Sequence, residues 1–100
     1  MKKNAELALL PINQPEQYEQ LEQRKKELLQ QWINERVKPH LIQSYNPSLT
    51  SYGLKHYFER EIGVYVTNGA FKGAMLAAGI LPESYEALNW VFKVGKRFYK

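Results

Sequence analysis

One hundred residues, 44% of them apolar, fit a single domain with a thin but real core and exclude an intrinsically disordered chain. The absence of cysteine excludes a disulfide frame and a thiolate metal site, and no apolar run nears the roughly 20 residues of a membrane span. The net charge of +4 is unevenly placed: Met1 to Arg36 balances six Lys or Arg with six Glu, whereas Val37 to Lys100 sets eight against four.

Met1 to Gln14 reads as a lead-in arm. Its start, MKKNAELALLP, lacks the long apolar core of a signal peptide, so a cytoplasmic protein is expected. Ala5 to Leu10 makes one helical turn or an apolar arm, and Pro11 ends it. A single domain then runs from Pro15 to Lys100.

Pro15 to Val37 predicts one long helix. Tyr18, Leu21, Leu28, Leu29, Trp32 and Ile33 fall on one face, among Glu, Gln, Lys and Arg that favour helix. The stripe either packs on the domain's own core or grips a partner. Lys38-Pro39 ends it, and His40 to Pro47 is a connection with a turn at Asn46-Pro47.

Ser48 to Pro82 predicts a helix-turn-helix-like pair. The first helix, capped by Ser48 or Thr50, carries Leu54, Phe58 and Ile62 and stops at Gly63. Val64 to Val66 links it to a second helix capped by Thr67 or Asn68. Phe71, Ala74, Met75 and Ala78 form that helix's buried stripe, and Gly79 ends it. Gly69, Ala70, Gly73 and Ala77 make the second helix thin. A neighbouring helix or a phosphate chain could therefore approach its backbone closely.

Residues 88–100 predict a half-buried strand, with Trp90, Phe92 and Val94 on one face, followed by a basic tail. The tail VFKVGKRFYK holds four positive charges and no negative one. The expected fold is thus a mainly α, helix-turn-helix or winged-helix-like single domain, with a long N-terminal helix and a small C-terminal β-ribbon.

No catalytic motif is visible. The chain has no Asp, and His40 and His56 lie on different elements, which makes a poor metal or acid–base site. A non-enzymatic protein with no cofactor and no metal is expected. The charge pattern suits a polyanion, single- or double-stranded DNA foremost. Lys55, Thr67, Asn68 and Lys72 would contact it from the helix pair, and Lys96, Arg97 and Lys100 from the tail. Contacts would be mainly to phosphate, so sequence specificity would be weak. The rival expectation is a protein-interaction module that binds a polymerase, helicase or host factor through Leu21, Leu28, Trp32 and the lead-in.

The segments SYGLKHYFEREIG, YVTNGAFKGAMLAAG and LNWVF together resemble small uncharacterised proteins of phages and other mobile elements of Gram-positive bacteria. The resemblance covers about Ser51 to Phe92 and is most specific in YVTNGAFKGAML. It implies a mobile-element setting, where small basic helical proteins act in replication, transcription control or host interference. It carries over no activity and no site residue.

Overall fold

A computed structural model describes residues 6–99. Three α-helices that lie complete within the described residues surround the core: α1, Gln23–Trp32; α2, Ser51–Ile62; and α3, Asn68–Ala77. Short 3-10 helices occupy Pro11–Asn13, Pro15–Gln20, Lys38–His40 and Lys96–Tyr99. No described helix is long and apolar enough to cross a membrane. Ala5 of the expected apolar arm and the basic Lys100 lie outside the described residues.

The α2–α3 pair follows directly from local chemistry. The Thr50 side chain accepts from Gly53 N at the start of α2, and the Thr67 hydroxyl accepts from Ala70 N at 3.0 Å at the start of α3. Gly63 ends α2 at φ 79°, and Gly79 follows α3 at φ 82°, the left-handed region that glycine enters without strain.

The long N-terminal helix is corrected. Leu21 is extended, with φ −70° and ψ 147°, so the chain divides into a 3-10 turn and α1. Beyond Trp32 the helix widens into a π-turn over Ile33–Val37. Twenty-three residues of straight helix would span about 34 Å, close to the longest dimension of the molecule, 35 Å. The break lets Tyr18 fold back onto α3. Gln30 Nε2 fastens the corner, donating to Tyr18 OH at 3.2 Å and Ala74 O at 3.0 Å.

Trp32 is the hub of the core. Its ring meets Phe58 of α2, Phe71 of α3 and Phe98 of the tail edge-on, with centroids 5.6, 6.1 and 5.9 Å away. Its Nε1 donates to Glu61 Oε1 at 2.7 Å, and Glu61 in turn receives two bonds from Arg36, each of 2.8 Å. The hydrogen bonds from Arg36 hold the Glu61 carboxyl below the usual carboxylate range, and Glu61 raises Arg36 in return.

The β-ribbon, and with it the winged-helix expectation, is also corrected. Trp90, Phe92 and Val94 do point inward and are buried, but no strand forms among the described residues. The segment pairs with the 40–51 connection through two isolated antiparallel bridges, Leu41 with Val94 and Thr50 with Val91. Between them Asn46 N reaches Phe92 O at 3.0 Å. Pro47 next to it has no N–H to continue a ladder. Past Gly95 the chain does not turn back as a hairpin. It coils into Lys96–Tyr99, because this places Phe98, fully buried, against Trp32, Tyr57 and His40.

Candidate nucleic-acid interface

The residues expected to meet phosphate fall into two groups. Asn68, Lys72 and every other residue from Asn68 to Met75 are buried. The thin face of α3 is occupied by the protein's own lead-in. A Cβ on Gly69 would stand 2.8 Å from Ile12 O and 2.7 Å from Gln14 N, and one on Gly73 would collide with Pro15 O and Tyr18 Cβ. The close approach anticipated for that face is therefore intramolecular, and α3 offers no surface to a groove of DNA.

Asn68 instead joins four segments. Its Oδ1 accepts from Ser51 Oγ at 2.9 Å. Its Nδ2 lies 3.0 Å from Leu88 O, 3.2 Å from Asn89 Oδ1 and 3.3 Å from Asn13 Oδ1. Lys72 Nζ donates to Asn13 O at 3.0 Å and Ala87 O at 3.3 Å, beneath the Trp90 ring. Burial without a carboxylate partner pushes this lysine down to about 8. Lys55 is likewise buried, with Nζ 2.8 Å from Glu59 Oε2. Thr67 spends its hydroxyl on the α3 cap. The polar atoms of these four residues are bonded within the domain.

Lys96 and Arg97 are exposed. They line a cleft of about 640 Å³ with residues 39–42, Ser44 to Asn46 and Gly95. No carboxylate stands among its lining residues. Tyr45, 37% exposed, forms one wall, and Lys93 Nζ lies 4.9 Å from its ring centroid. Among the described residues, Lys93, Lys96 and Arg97 have no acidic partner within 4.0 Å. The cleft exists because Asn46 clamps its two sides. Asn46 Nδ2 donates to Val94 O at 2.9 Å, while Gly95 N donates to His40 O at 2.7 Å.

Sequence reasoning missed Tyr45, His40 and Lys93 as members of this surface. They sit on the irregular connection and its partner segment, where no periodicity marks a face. The available signal was Tyr45 beside the Asn46-Pro47 turn, an aromatic residue in a polar loop. The stripe of the rival expectation is largely spent in the core: Trp32 is buried, and Leu21 and Leu28 pack against the core's edge. Comparison with family models, with curated proteins and with solved structures gives no match.

Proposed function

We propose that this chain is a non-enzymatic nucleic-acid-binding accessory protein, cytoplasmic and serving a phage or mobile element in replication or transcription control. It contacts mainly the phosphate backbone and has weak sequence specificity. The observation that carries this reading is the 640 Å³ cleft, lined by Lys96, Arg97 and Tyr45 with no carboxylate among the lining residues, and Lys93 Nζ lies beside the Tyr45 ring. Phosphates follow the unpaired cations, and Tyr45 supplies a face on which a base can stack. Helix α3 has no part in it.

The test is fluorescence anisotropy with single- and double-stranded DNA at two salt concentrations. Micromolar, steeply salt-dependent binding is expected. Lys96→Ala with Arg97→Ala should weaken it and reduce the logarithmic salt slope by about 2 for duplex. Binding unchanged in the double variant removes the cleft from consideration.

A protein-interaction role keeps one supporting observation. Leu7, Leu9, Leu10 and Ile12 of the lead-in are 43–77% exposed, an apolar group that a protein partner could cover. Absence of DNA binding at low salt would favour it.

A further inference from the structure

A second cleft, of about 510 Å³, lies along α2 on a different face from Tyr57, which packs on the tail. Tyr52 and Tyr65, 50% and 62% exposed, stand at its walls, with Leu7, Ile12 and Leu88 beside them. Its charges cancel, because Lys55 and Glu59 are paired at 2.8 Å. Among the described residues, a phosphate would find no unpaired cation there. A cationic ligand is disfavoured too, since it would meet the like charge of Lys55 Nζ, 4.7 Å from the Tyr65 centroid and 5.7 Å from that of Tyr52.

What remains is suited to a neutral planar group. Glu59 Oε2 is committed to Lys55 and to Val66 N, while Oε1 faces only His56 Nδ1 at 3.4 Å and keeps acceptor capacity. Asn89 gives its Oδ1 to Asn68. Among the described residues its amide nitrogen makes no bond, and no side-chain donor or acceptor is both buried and unpaired. A carboxylate acceptor and an amide donor between exposed tyrosines complement a heterocycle that carries N–H and acceptor atoms along one edge.

We infer that this cleft receives one unpaired nucleobase, stacked on Tyr65, from a strand whose phosphates lie in the basic cleft; the Tyr52 ring is already met edge-on by His56, with centroids 4.4 Å apart. This deepens the nucleic-acid reading and rests on it. Asn46 of the basic cleft and Tyr52 of this one are six residues apart, so their Cα atoms are within about 21 Å. A few nucleotides of extended single strand bridge that distance. The volume falls in the range of small-ligand pockets, roughly 300–1,000 Å³.

The test uses the full chain and labelled oligonucleotides. Tyr65→Ala should weaken single-strand binding about tenfold, by the same factor at both salt concentrations, and leave duplex binding unchanged. Tyr65→Phe should restore it. The Lys96→Ala, Arg97→Ala variant should weaken both forms and flatten the salt dependence. The inference is overturned if Tyr65→Ala binds single strands within twofold of the parent, or loses duplex binding by the same factor. If no oligonucleotide binds the parent, the backbone reading fails, and nucleoside monophosphates decide the cleft alone. Millimolar nucleotide shifting the NMR signals of Tyr52, Tyr65 and Asn89 upholds a base site for free nucleotides. No shift ends it.

Discussion

Gly73→Ala is the sharpest test of how the 3-10 helix Pro15–Gln20, and the lead-in attached to it, is seated on α3. In an open helix this change stabilises by about 1 kcal/mol, since alanine is the best helix former and glycine nearly the worst. Here the new methyl would lie closer than 3.0 Å to Pro15 O and to Tyr18 Cβ, and Pro15 C would be 3.3 Å away. Two of these atoms are backbone and cannot rotate aside. Overpacking of this kind costs about 1–3 kcal/mol. If instead residues 12–18 lift off, the burial of Tyr18 is lost, worth about 1.5–3 kcal/mol for a large side chain. Either route outweighs the propensity gain, or at best cancels it, and a net loss of about 0–2 kcal/mol is expected. Gly53→Ala is the control, because its nearest neighbour would be Leu49 Cδ1 at an ordinary 3.7 Å. It should stabilise by about 0.5–1 kcal/mol. Urea unfolding followed by circular dichroism measures both, and a reduced m-value in Gly73→Ala would report the lifted arm. A Gly73→Ala protein more stable than the parent would refute the packing of Pro15–Gln20 on α3.

Other expectations follow from the buried polar and aromatic groups. Lys72, held at about 8 when folded and near 10.5 when unfolded, leaves the unfolded chain with more bound protons between those values. Its contribution to stability therefore rises with pH from 8 to 10.5, by at most about 3 kcal/mol. The difference between parent and Lys72→Met unfolding free energies, measured across that window, should show the rise. Glu61 has the same sign in the acid range: its depressed carboxyl stabilises the fold above the unfolded value and ceases to as pH falls through the folded one. At its one-third exposure the effect should stay below about 1 kcal/mol, lost in Glu61→Gln and weakened by salt. Phe98→Ala should cost about 3–5 kcal/mol in chemical denaturation, as expected for a fully buried ring in contact with Trp32 and Tyr57 and not for a loose basic tail.

The α2–α3 pair was legible because its signals are local. Thr50, Gly63, Thr67 and Gly79 each act within four residues, and the Phe58, Phe71 and Met75 spacings report burial directly. The inward alternation of Trp90, Phe92 and Val94 was legible for the same reason. The ribbon was not, since pairing depends on what the 40–51 connection can offer, and that loop breaks the ladder. Lys72 read as a surface cation on the strength of its residue type. Its burial depends on Asn13 O, 59 residues away, and on glycines whose empty side was already taken. The long helix misled in a similar way. Pro15 to Val37 has good propensity throughout, but core geometry overrode it at Leu21. Of the basic surface, Lys96 and Arg97 were visible in the charge run, whereas Tyr45 and Lys93 came together only through the fold.

The clasp around Asn68 and Lys72 has a consequence for the order of assembly. A helical protein of this size ordinarily folds fast, because most of its contacts are local. This one closes its core through long chain separations: 55 and 59 residues from the lead-in to α3, and 48 from Asn46 to Val94. Ser51 Oγ and Trp90 N, 39 residues apart, meet inside the same cluster. Loop closure over such spans precedes the reward of burial. During synthesis the hydroxyl of Ser51 and the amide of Asn68 must wait for Leu88 to Trp90 to emerge. The cluster is complete only once these spans close, and refolding should be slower than the helix content implies.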